Sequence, residues 1–276
     1  MLADLEAQLR SAASRLGPFA GGVRYVPRVG STNDVAAELA KGGAPHGTVV
    51  VADAQTAGRG RHGHHWFSPP GIGLYVSLLL RLTRPPAPLL TLATGVAVIE
   101  ALRTAAALEA ALEWPNDVVV MGDGPSRKLA GILAEATTEG DQTRVVVGIG
   151  INLRDAAWPA ELVHAAASVE GVTGRPVDAV SLLVELLAAV ARCYAQVESG
   201  AMTALLARWE SFAPSSRGAA VEWMSGQTQH QGVTAGIDEE GALLVQVGSR
   251  LERLTGGAVR HVRSPGSLRG DHAARG

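Results

Sequence analysis

A strand followed at once by a segment that opposes helix is the feature that most restricts the fold of this chain. The apolar run Thr48 to Ala52 reads as a strand. After it come Gly58-Arg59-Gly60-Arg61-His62-Gly63-His64-His65-Trp66 and then Phe67-Ser68-Pro69-Pro70-Gly71. Gly58, Gly60 and Gly63 satisfy G-x-G-x-x-G, but that dinucleotide fingerprint needs a helix to start at the glycines, and the two prolines and Gly71 resist one. A doubly wound dinucleotide fold is therefore rejected. No G-x-x-x-x-G-K-[ST] phosphate loop occurs, and His65 stands where a kinase glycine-rich loop has valine. What is left is a cationic glycine loop ending on an aromatic plate. Its glycines let backbone N–H groups approach anionic oxygens, its arginines can grip two oxygens at once, and Trp66 offers a surface for a base. A solvated surface loop is the plainer alternative.

With 276 residues, 47% of them hydrophobic, the chain can bury a full core in one large domain or in a large and a small one. Its net charge is −2, and only the Arg59/Arg61 loop concentrates basic groups, so general DNA binding is not expected. The first residues, Met1-Leu2-Ala3-Asp4-Leu5-Glu6, lack a basic and then apolar leader, and no uncharged apolar run of about 18 residues appears. A cytoplasmic protein with no membrane partner is the expectation. The single cysteine, Cys193, rules out an internal disulfide and a multi-cysteine zinc site, and its apolar helical surroundings suit a buried thiol. His62, His64 and His65 are too close together on a flexible loop to converge well on a metal.

Helical spacing covers residues 2 to 15, and Ser31 or Thr32 can cap a second helix that runs to Lys41 and stops at Gly42-Gly43. Strands are expected at Thr48 to Ala52, Ile72 to Leu80, Val118 to Val120, Leu129 to Ala136 and Thr143 to Ile149, with a long helix from Leu89 to Leu112. Helices return at Ala179 to Glu198 and Ala201 to Trp209. The fold class is α+β, a mixed sheet packed with helices over residues 1–213. From 214 to 263 the pattern changes to short strands, Ala220 to Met224, Gln229 to Ile237, Ala242 to Val247 and Arg250 to Leu254, which suggests a small β-barrel. Residues 264–276, rich in small and charged side chains, are expected to be disordered.

Polar groups stand at the ends of several apolar elements. Ser31, Thr32 and Asn33 fit either helix capping or hydrogen bonding to a small neutral ligand, and Gln55 closes a strand. Pro115-Asn116-Asp117 fits a plain turn, a grip on ribose, or a magnesium ion carried on phosphates. Lys128, at a strand mouth, is a solvated charge or the point cation that an acyl-phosphate transition state needs. In Gly148-Ile149-Gly150-Ile151-Asn152 the glycines clear space beside an amide.

In order and spacing these segments resemble the biotin protein ligase family. The blocks are Gln55-Thr56-Ala57-Gly58-Arg59-Gly60-Arg61-His62-Gly63 with Trp66, Trp114-Pro115-Asn116-Asp117, Lys128-Leu129-Ala130-Gly131-Ile132-Leu133 and Gly148-Ile149-Gly150-Ile151-Asn152. The resemblance implies a biotin/lipoate ligase-like catalytic domain with an SH3-like C-terminal barrel. It implies biotin and ATP as substrates with Mg2+, a biotinyl-5′-adenylate intermediate, and transfer to a lysine of the biotin carboxyl carrier domain of acetyl-CoA or a related acyl-CoA carboxylase. Carried over by motif, Lys128, Arg59 and Arg61 are catalytic. Ser31, Thr32, Asn33, Gln55, Gly60 and Gly131, with those three, bind biotin. Gly58, Trp66, Asn116, Asp117, Asn152 and Arg263 bind ATP or the adenylate, and Asp117 lies beside any metal.

The chain departs from the family at Glu113, where a lysine usually precedes Trp-Pro-Asn-Asp. One partly exposed carboxylate near phosphates costs roughly 1 to 2 kcal/mol at moderate dielectric, which weakens binding without abolishing it. The stretch before Ser31 looks too short for the helix-turn-helix of bifunctional members, so a monofunctional enzyme that binds no DNA is expected. A transient homodimer stays open. The rival readings are a lipoate–protein ligase and a non-catalytic biotin or adenylate sensor.

Overall fold

A computed structural model describes residues 2–82, 87–122, 124–139 and 142–262. The chain begins with helices α1 (Leu2–Ser11) and α2 (Ala13–Leu16), strand β1 (Val23–Val29), helix α3 (Thr32–Lys41), strands β2 (Val49–Gln55) and β3 (Gly73–Leu82) and helix α4 (Ala87–Ala106). Strands β4 (Ala111–Glu113), β5 (Asp117–Val120), β6 (Arg127–Glu139) and β7 (Gln142–Asn152) follow, then helices α5 (Val169–Thr173), α6 (Ala179–Ser199) and α7 (Met202–Phe212). The chain continues through β8 (Arg217–Ser225), β9 (Thr228–Ile237), β10 (Leu243–Val247), β11 (Arg250–Leu254) and β12 (Val259–His261).

Strands β1 to β7 form one mixed sheet in the order β1-β2-β3-β7-β6-β5-β4, with β1 and β2 parallel and every other pair antiparallel. Alternation along each strand gives the sheet two unlike faces. One carries Val49, Val51, Val76, Leu78, Leu80, Val145, Val147 and Ile149 into the main core under α4 and α6. These two helices have the length and hydropathy of membrane spans, but the core buries most of each. On the other face α3 packs, setting Ala36 and Ala40 on Val50, Leu79 and Val146. α3 is short, so the rest of that face is left for a cavity.

Three elements depart from the expected pattern. The long helix ends at Ala106 rather than Leu112: Ala107 takes a left-handed φ of 49°, and Ala111-Leu112-Glu113 turns back as an antiparallel partner of β5. Alanine and leucine serve both structures, so composition hides the break. Strand β1 was not expected; Pro27 interrupts it and is tolerated because β1 is the edge of the sheet, where a missing N–H breaks no ladder on its open side. Short β12 was also missed, and it completes a second, antiparallel sheet in the order β11-β10-β9-β8-β12. That sheet joins the main core through Val221, Trp223, Leu243 and Val245, and the indole of Trp114 donates to Gly241 O at 3.0 Å. The expected tail, 264–276, and Arg263 lie outside the described residues.

Candidate active site

The open half of the α3 face forms a cavity of about 460 Å3, and its floor is built from glycine. A Cβ on Gly148 would fall 2.3 Å from Asn33 Oδ1, one on Gly150 would fall 2.5 Å from Trp66 Nε1, and one on Gly131 would fall 3.0 Å from Trp66 Cζ3. Any larger residue would therefore displace the side chains that line the site. These glycines interrupt β6 and β7 on this face alone; their neighbours Ile132 and Ile149 fill the core on the other.

At the α3 end, the helix start is held by side chains from two strands. Ser31 does not cap α3 with its hydroxyl; instead Gln55 Oε1 accepts from Thr32 N at 2.8 Å and from Thr32 Oγ1 at 3.1 Å. Ser77 on β3, wholly buried, lies 2.8 Å from Thr32 Oγ1 and 2.6 Å from Asn33 Oδ1. Ser31, Thr32, Asn33 and Gln55 all line the cavity. Ser77 was missed: a lone serine in an apolar strand carries no sequence signal, although its parity on β3 places it on the glycine face.

The opposite wall carries charges of both signs. Lys128 Nζ lies 2.6 Å from Asp117 Oδ1 and 5.3 Å from the centre of the Trp66 ring. A register shift aims it there: Val118 pairs with Ala130 but Val119 with Lys128. The extra residue, Leu129, is turned into the core with Ala130, and Lys128 faces the cavity. Trp66 lies flat over the glycine floor, and its buried indole N–H has no hydrogen-bond partner among the described residues. A ligand acceptor would satisfy it.

The two loop arginines diverge. Arg61 reaches Asn116 Oδ1 at 3.3 Å and Gly257 O at 3.5 Å, so the C-terminal sheet also borders the site, and burial lowers the pKa of its guanidinium. Arg59 donates to Asp34 and Glu135, and the bond to Asp34 raises its pKa. Asn116 Nδ2 is committed to Ile132 O and Asn152 Nδ2 to Ala167 O, which leaves Arg61 and Trp66 the freer donors. Gly58 is not among the residues lining the cavity; a Cβ there would meet Trp66 O and Ser68 Oγ, so it packs within the loop. Glu113 does line it, directly across the ladder from Asp117.

Residues 25–152 match the biotin/lipoate A/B protein ligase family. The biotin–[acetyl-CoA-carboxylase] ligase of Mycobacterium tuberculosis is 35% identical over 86% of this chain and 88% of its own length. The bifunctional ligase/repressor of Bacillus spizizenii is 35% identical over 83% of this chain and 71% of its own. The structure of the Aquifex aeolicus biotin protein ligase in complex with biotin and ATP superposes with a TM-score of 0.76 at 28% identity, covering 88% of this chain and all of that one. On the strength of these matches, the chain belongs to the biotin protein ligase family.

Proposed function

We propose that this protein is an ATP-dependent biotin protein ligase that makes biotinyl-5′-adenylate and then acylates a lysine of a biotin carboxyl carrier domain. The observation that carries this reading is the convergence of Lys128, Trp66 and Arg61 on a glycine-floored cavity whose far end is lined by uncharged hydrogen-bonding groups. Biotin has a neutral ureido ring at one end and a carboxylate at the other. Thr32, Asn33 and Gln55 suit the first, and Lys128 with Arg61 suits the second.

In the first step the carboxylate oxygen bonds to the α-phosphorus as pyrophosphate leaves, and the ammonium of Lys128 and the guanidinium of Arg61 balance the crowded negative charge. In the second, the neutral amine of the acceptor lysine attacks the acyl carbon and AMP departs with the anhydride oxygen. Closure of the Arg59–Trp66 loop over the mixed anhydride keeps water from competing. Asp117 on β5 would offer a hard oxygen donor to a magnesium ion carried mainly by ATP phosphates and water. Bound there, Mg2+ would neutralise the leaving pyrophosphate.

The proposal extends to a cytoplasmic enzyme that binds no DNA, supported by the low net charge and by the burial of α4 and α6. A DNA-retention assay that found operator binding would reverse that part. Release of pyrophosphate from MgATP on adding biotin, with no release on adding lipoate, is the expected result. Release with lipoate alone would support the lipoate ligase, and no release from a protein that binds biotin would support the sensor.

A further inference from the structure

Within the ligase reading, the divergence of the two loop arginines separates their work. We propose that Arg59 is a latch that ties the glycine loop to the floor of the biotin pocket, and that Asp34 and Glu135 are its positioning residues. One Arg59 nitrogen lies 2.6 and 2.7 Å from the two carboxylate oxygens of Asp34, in the first turn of α3. The other lies 3.2 and 3.3 Å from those of Glu135 on β6. Glu135 Oε2 in turn accepts from Asn33 Nδ2 at 2.6 Å, and Asn33 Oδ1 meets the buried hydroxyl of Ser77. A continuous chain of polar contacts thus runs from the loop to the pocket floor.

Arg59 sits at the base of a small hairpin inside the loop. It forms a bridge with His65, Gly60 N donates to His64 O at 2.7 Å, and Trp66 N donates to Gly58 O at 2.9 Å. Holding Arg59 therefore holds the hairpin and, through it, the start of Trp66. An isolated exposed ion pair would do little, but here one guanidinium separates two carboxylates that would otherwise repel each other. Without Arg59, Asp34 and Glu135 would push apart the start of α3 and β6, between which Asn33 is held. Arg61, directed into the cavity, is left as the arm that meets substrate.

The test uses the full chain with Asp34→Asn, Glu135→Gln and Arg59→Ala. Hydrogen exchange at the amides of Gly60 and Trp66 is read without ligand, and adenylate release is read by filter binding after a single turnover. Each single variant is expected to speed that amide exchange about fivefold or more. Each should also release adenylate about tenfold faster, and Arg59→Ala/Asp34→Asn should be no worse than Arg59→Ala, because neither partner works without the other. The double variant also separates the latch from the helix-terminal charge that Asp34→Asn removes. Unchanged exchange in the single variants, or losses that simply add in the double variant, would overturn the latch. If the unsubstituted protein makes no adenylate, the ligase reading fails, while the exchange measurement still decides for or against the latch.

Discussion

The two faces of the seven-stranded sheet are made by the same strands and obey opposite rules. On the α4/α6 face the strands from β2 to β7 carry mostly Val, Leu, Ile and Ala side chains, which gives a close-packed core. On the α3 face the same strands carry Ser77, Gly131, Gly148, Gly150 and Asn152, leaving a polar cavity where packing would have added stability. Neighbouring residues one step apart on a strand therefore have different duties. The core face sets stability, and the open face sets recognition and chemistry.

Substitutions on adjacent positions can break that division. The largest effect is expected from Gly150→Val, whose side chain would take the place of Trp66; adenylation should fall about 100-fold or more with the thermal midpoint nearly unchanged. A parallel loss of stability, measured by urea unfolding, would mean that the open face also holds the fold. Lys128→Ala should lower the single-turnover rate of adenylate formation by about two to three orders of magnitude, since it removes the cation beside the reacting groups. Unaltered chemistry in that variant would refute its role.

The sharpest contrast lies within β3. Leu78→Ala, on the core face, should cost about 2 to 5 kcal/mol in urea unfolding while leaving the KM for biotin alone at a temperature where the protein is folded. Ser77→Ala should raise that KM about tenfold by freeing Thr32 and Asn33, at a smaller cost in stability of about 1 to 3 kcal/mol. Equal effects of the two would erase the distinction between the faces. The smallest effect lies away from both. Burial lowers the pKa of His46, whose Nδ1 accepts from Arg81 N. The unfolded chain then binds the proton more readily, so this histidine's contribution is complete above about pH 6.5 and declines as pH falls toward its lowered native value. In His46→Gln the thermal midpoint should depend less on pH below about 6.5.

Much of this site could be read from the chain. Gln55, the glycine loop with Trp66, Asn116-Asp117, Lys128 and the glycines of β7 are local motifs, and all of these segments border one cavity. What could not be read depended on partners far away in sequence. Ser77 matters only because β3 sets it beneath Asn33, and Glu135 only because β6 brings it to Arg59. The different directions of Arg59 and Arg61 likewise follow their distant partners Asp34 and Asn116. In the fold, strong alternation announced the central strands. Pro27 interrupts the edge strand β1, and an alanine-rich run hid the turn from α4 into β4.

The most direct measurement of the whole account is the intact mass of a biotin carboxyl carrier domain after incubation with this protein, biotin and MgATP. The account predicts that the acceptor gains one biotin on its lysine, only when ATP is present, despite Glu113 at the mouth of the site. An acceptor left unmodified by a folded, biotin-binding protein would contradict it, and would leave the cavity as a receptor for biotin or its adenylate.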